Sequence, residues 1–109
     1  TTYASNASTI TKTRAVSGAT VLIGIATILP RDNGTVNGSA FETVRQAYNT
    51  LVRANTAGAD FIVDLAADPT MGPQAAAADS TLYVSALHPT ARGQGIDAQV
   101  YATAINALG

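Results

Sequence analysis

The stretch that most restricts what this chain can fold into is Thr20 to Leu29, reading TVLIGIATIL and closed by Pro30. Apolar residues follow one another there instead of alternating with polar ones, and many are β-branched. A strand with one wet face shows a period of two. A continuous run bounded by a breaker is how a parallel strand buried on both faces reads. Asp60 to Leu65, DFIVDL, has the same character over a shorter length. Strands of this kind need helices on both faces, so the flanking segments are expected to be helical.

Those segments bear this out in pattern. Tyr3, Ala7 and Ile10 fall at helical spacing in residues 1–17, and Gly18 is placed to stop a helix there. Arg31 to Gly38 brings Asp, Asn and Gly together and reads as a loop. Ser39 and Glu42 have the Ser-x-x-Glu form of a capping box. Phe41, Val44, Tyr48, Leu51 and Val52 then mark an apolar helix face running to about Asn55, with Gly58 as its end. Residues 66–80 read as a long loop, Thr81 to Val84 as a brief extended segment, and Thr90 as the cap of a last helix with Ile96, Val100, Ala104 and Leu108 on one face.

The order of elements predicts an α/β fold, a three-layer, flavodoxin-like parallel sheet with flanking helices, and one domain over residues 1–109. Only two clear strands are present, too few for a parallel sheet, whose edges are normally covered. The sheet is therefore expected to be incomplete and finished by an upstream segment or a companion chain. Two features agree: only 12% of residues are charged, against roughly a quarter in ordinary soluble domains, and the chain starts at Thr1 instead of Met, as a processed or excised piece would. Expressed alone, it is expected to fold poorly or aggregate.

Composition also excludes function classes. There is no cysteine, hence no disulfide, thiol nucleophile or thiolate-bound zinc. A single histidine without a carboxylate cluster argues against a metal site, and no cofactor is expected. Net charge is −1 with six scattered basic residues, so nucleic acid is not an expected partner. The longest apolar run is far too short to cross a bilayer, so no membrane role is expected either.

The residue most able to carry chemistry is His88, in Leu87-His88-Pro89-Thr90 between the long loop and the last helix. A histidine there could act as general base toward a hydroxyl nucleophile, or be an ordinary helix-entry residue. Asp64 to Gly72 (DLAADPTMG), then Thr81 to Tyr83, then Leu87 to Gly93 (LHPTARG), resemble the C-terminal half of the SGNH hydrolases, also called the GDSL esterase/lipase family. That family's last block reads Asp-x-x-His-Pro before a helix rich in small residues. His88, Pro89, Thr90 and Gly93 match it, and the two strands resemble those that precede the block. The resemblance implies ester hydrolysis with His88 as general base, on acyl or acetyl esters, with glycan esters among the expected substrates.

The chain departs from the family at several points. The nucleophilic Ser of the Gly-Asp-Ser block and the oxyanion-hole Gly and Asn belong to blocks upstream of the matched region, and none is present. The acid three residues before the histidine is replaced by Ser85, whose hydroxyl can orient an imidazole but cannot stabilise an imidazolium as a carboxylate does. Asp68, Asp79 and Asp97 could each substitute, although Asp97, within the last helix, is expected to face solvent. Asn6, Asn33 and Asn37 begin N-glycosylation patterns that arise easily by chance in a Ser/Thr-rich chain. Gly93-Gln94-Gly95 lacks the preceding strand and third glycine of a phosphate loop, and Arg31 could line a cleft or be a solvated loop residue. Two readings result. One is an esterase or carbohydrate deacetylase part whose serine lies elsewhere. The other is a non-catalytic structural or glycan-binding module of an extracellular or virion assembly, which Ser85 favours.

Overall fold

The computed structural model describes residues 2–31 and 38–109. Three α-helices, α1 (Tyr3–Ser17), α2 (Gly38–Ala54) and α3 (Ala91–Asn106), accompany four short strands, β1 (Gly24–Ala26), β2 (Phe61–Val63), β3 (Tyr83–Val84) and β4 (His88–Pro89). β1 and β2 are parallel, with Gly24 opposite Phe61 and Ala26 opposite Val63. β3 and β4 form an antiparallel hairpin. The described residues thus form a mixed α/β structure with a small, two-stranded parallel sheet.

The first long strand is shorter than its apolar run because pairing stops on both sides. The Asp60 N–H donates to the Ile23 carbonyl and the Thr27 N–H to the Val63 carbonyl, so residues 23, 25 and 27 turn their backbone groups toward β2. By alternation, residues 24, 26 and 28 turn theirs the other way. At Ile28 these outward groups are taken by α2, not by a strand. The Ile28 N–H donates to Asn49 Oδ1 (2.8 Å), and its carbonyl accepts from Asn49 Nδ2 (3.1 Å) and Arg45 Nη1 (3.2 Å). At Gly24 and Ala26 no described residue pairs with the edge.

Side chains alternate accordingly. Ile25 and Ile62 pack with Ile10 of α1 and with Tyr48 and Val52 of α2, where Tyr3 and Tyr48 meet edge-to-face at 6.3 Å between ring centroids. Phe61 and Val63 turn toward Tyr101 and Ile105 of α3, and the Phe61 ring lies over Gly24, where any Cβ would strike it. A second cluster of Met71, Leu82 and Tyr83, with Leu29 and Ile96 against it, joins the hairpin to α3. Gly93 makes that junction possible: a Cβ there would lie 2.6 Å from the Leu82 carbonyl oxygen.

Helix ends follow the expected chemistry at two places and differ at a third. Gly18 closes α1 with φ +70°, and Thr90 Oγ1 caps α3 by accepting from the Gly93 N–H at 3.2 Å. α2 is stopped by Asn55 in the left-handed region (φ 52°), three residues before Gly58. The Asn55 side-chain amide makes this possible by exchanging two 2.9 Å hydrogen bonds with Ala59. The expected loop at residues 32–37, with the patterns begun by Asn33 and Asn37, lies outside the described residues, as does the side chain of Ser39 on which the capping box rests.

The apolar face expected of α2 is only half right. Tyr48 and Val52 are buried, but Val44 is 65% exposed and Leu51 47%, while Arg45 (2%) and Asn49 (0%) are buried in their place. Residues 45, 49 and 53 share one helix face at steps of four, and that face serves the ends of the strands.

Candidate functional site

The carboxyl ends of β1 and β2, where α/β folds generally bind ligands, carry a fully satisfied polar lattice. Arg53 grips Asp64 with two hydrogen bonds, Nε to Oδ2 at 2.8 Å and Nη2 to Oδ1 at 2.9 Å. The Thr27 hydroxyl donates to Asp64 Oδ1 at 3.0 Å and accepts from the Ala66 N–H at 2.9 Å. The Arg53 guanidinium holds the Asp64 carboxyl below its ordinary pKa. Arg45 grips Glu42 in the same forked way, at 2.7 and 2.6 Å, and lowers its pKa against the opposing effect of burial. These residues clamp the strand ends to α2. Sequence reasoning missed them because an Arg and an Asn four residues apart on a helix read as its wet face. The one available signal was that Tyr48 and Val52 lie on the same side.

Beyond the end of β1 lies a cleft of about 550 Å3. Leu29, Pro30 and Arg31 bring the chain out of the strand into its wall, Phe41 and Val44 of α2 form a second wall, and Leu87 and Pro89 of the hairpin a third. The Arg31 guanidinium stacks over the Phe41 ring, 4.2 Å from its centroid. Of the two possibilities for Arg31, the structure realises the cleft-lining one.

His88 sits on the hairpin between two of these cleft-lining residues but does not itself line the cleft, as expected for alternating residues of an extended segment. It pairs across the hairpin with Val84, is exposed, and its imidazole has no hydrogen bond or ion pair among the described residues. The rest of the motif is occupied by the fold. Pro89 pairs with Tyr83. The Thr90 N–H donates to the Leu82 carbonyl at 2.8 Å, and its hydroxyl donates to the Thr81 carbonyl at 2.6 Å besides capping α3. Ser85 is exposed and begins the turn that joins Val84 to His88.

None of the three carboxylates considered as substitutes bonds to His88. Asp68 Oδ1 accepts from the Thr70 and Met71 N–H groups at 2.9 and 2.7 Å. Asp79 Oδ1 accepts from the Thr81 hydroxyl and N–H at 2.7 and 2.8 Å, bonds that keep its pKa low. Asp97 is not solvent-facing as expected. Its Oδ1 is shut away from water without a partner, and burial, with the Asp68 charge, raises its pKa. Nearby, the Tyr83 hydroxyl donates to the Met71 carbonyl at 2.8 Å, and burial pushes its pKa up to about 12. Asn6 lies within α1 with its amide on the Tyr48 hydroxyl. Gly93 serves packing.

Among the described residues there is no group of three or more His, Asp or Glu able to hold a metal, and no helix is long and apolar enough to cross a membrane. No protein-family model, curated protein or solved structure matches the chain.

Proposed function

We propose that this chain is the C-terminal part of an SGNH-type ester hydrolase, an esterase or carbohydrate deacetylase, whose serine nucleophile comes from another segment or a companion chain. The serine would attack the acyl carbonyl, His88 would take its proton and return it to the leaving alcohol, and backbone and Asn donors of the other segment would hold the oxyanion. The observation that carries this reading is the division of labour in the motif. Pro89, Thr90 and Gly93 each fasten the hairpin to α3, while the imidazole of His88, on the hairpin that walls the cleft beyond β1, has no hydrogen bond or ion pair among the described residues.

A complete three-layer, flavodoxin-like sheet would add strands at the edge of β1 away from β2. In its favour, the Gly24 and Ala26 backbone groups facing that edge have no strand partner among the described residues. The second reading, a non-catalytic structural or glycan-binding module, is favoured by Ser85 and by the lack of any carboxylate bonded to His88.

The test is turnover of p-nitrophenyl acetate by the longest native polypeptide or complex that contains this chain. His88→Ala is expected to lower kcat/KM by about 10^2- to 10^4-fold, and Ser85→Asp to raise it. Turnover that survives His88→Ala unchanged removes His88 from the mechanism, and absence of turnover in the assembled protein selects the second reading.

A further inference from the structure

We infer that the cleft beyond β1 is a binding site for a small amphiphilic carboxylate, its apolar body against Phe41, Val44, Leu87 and Pro89 and its anionic end on Arg31. The volume, about 550 Å3, falls among those of small-molecule sites, roughly 300–1000 Å3. The walls are almost wholly apolar, and two of them leave large aliphatic groups in water, Val44 at 65% and Leu87 at 43% exposure. A ligand with a hydrocarbon body covers both.

The charge at the site decides the other end. Arg14 is bonded to Asp60, Arg45 to Glu42, Arg53 to Asp64 and Arg92 to the Thr81 hydroxyl. Arg31 alone among the arginines spends none of its N–H donors within the described residues. Its flat face rests on Phe41, which fixes the guanidinium plane while leaving the forked edge free for a two-oxygen acceptor. Among the described residues no acidic side chain lines the cleft. The tyrosine hydroxyls of the wall bond elsewhere, Tyr48 accepting from the Asn6 amide and Tyr83 donating to the Met71 carbonyl, and among the described residues Arg31 is the only charged group in the wall. One guanidinium balances the single charge of a carboxylate, whereas a phosphate dianion would ask for a second cation, and the described residues of the wall hold none. Binding needs neither a nucleophile nor an ester bond, so it stands apart from hydrolysis.

Titration calorimetry of the longest native polypeptide or complex that contains this chain, with sodium octanoate, 1-octanol and octyl phosphate, tests the site. Octanoate is expected to bind about tenfold or more tightly than octanol, the worth of a charge-assisted hydrogen bond, and tighter than octyl phosphate. Arg31→Gln should bring octanoate down to octanol, Val44→Asp should abolish octanoate binding, and Arg92→Gln should change nothing. Residues 31 and 44 are exposed, so thermal melts of their variants should match wild type. Equal affinity for octanoate and octanol, preference for octyl phosphate, octanoate binding unaffected by Arg31→Gln, or no saturable binding at millimolar octanoate would each overturn the inference.

Discussion

Asp97 shows how one atom can set a pH dependence. Its Oδ1 is buried and unpartnered, and burial raises its pKa. An acid whose pKa is higher in the folded chain than in the unfolded one holds its proton more tightly when folded. Its ionisation therefore opposes folding at neutral pH, and the penalty fades as pH falls through the folded value toward the ordinary aspartate range. Glu42 and Asp64 have the opposite sign. Their pKa values are lowered by Arg45 and Arg53, so the stability they contribute is present at neutral pH and is lost in acid. Asp97→Asn is expected to stabilise the chain near pH 7 by roughly 0.5–1 kcal/mol, the modest figure reflecting a side chain that is still partly solvated. Urea midpoints of the two proteins should converge as pH drops below about 4. A constant offset across pH, or none at pH 7, would show that the buried oxygen finds compensation. The sequence singled out Asp97 only as a candidate acid expected to face solvent, because a helix position becomes dry only through what packs on it.

At the scale of elements, the hairpin that carries His88 is built under strain. Ser85 and Ala86 both occupy the left-handed region, with φ 53° and 54°, and the Leu87 N–H closes the turn on the Val84 carbonyl at 3.0 Å. Side chains other than Gly, Asn and Asp pay about 1–2 kcal/mol per residue for this conformation, and hairpin turns of this kind favour Asn-Gly. The double variant Ser85→Asn, Ala86→Gly is therefore expected to raise stability by about 1 kcal/mol or more, or a melting temperature higher by about 4–8 °C in a chain of this size. A melt unchanged or lowered would mean that the turn is not formed in solution. The brief extended segment at Thr81 to Val84 and the Thr90 cap were legible, because each depends on neighbours in sequence. The buried face of α2 was not. Its apolar period suggested Val44 and Leu51, whereas the carbonyl and N–H of Ile28, left without a strand beside them, required Arg45 and Asn49 instead.

For the molecule as a whole, the edge at Gly24 and Ala26, unpaired among the described residues, leads to one expectation. The isolated chain should self-associate, seen as a sedimentation coefficient that rises with concentration, since unpaired strand edges flanked by apolar grooves attract one another. A sample that stays monomeric at high concentration and melts cooperatively would show that the two-stranded sheet suffices. The sequence by itself determined the α/β alternation, the positions of the two parallel strands, the end of α1 at Gly18 and the start of α3 at Thr90, all of which follow from apolar patterning and local capping. The strands, expected to be buried on both faces, keep only Ile25 and Val63 buried. Only the tertiary structure decided which carboxylates are spent on Arg53, on Arg45 or on backbone turns, and that Arg31 meets Phe41, Leu87 and Pro89 around one cleft. It also decided that His88 is held in the hairpin with none of the described residues bonded to its ring. Contacts between residues far apart in the chain depend on how the elements dock, and no local period records that.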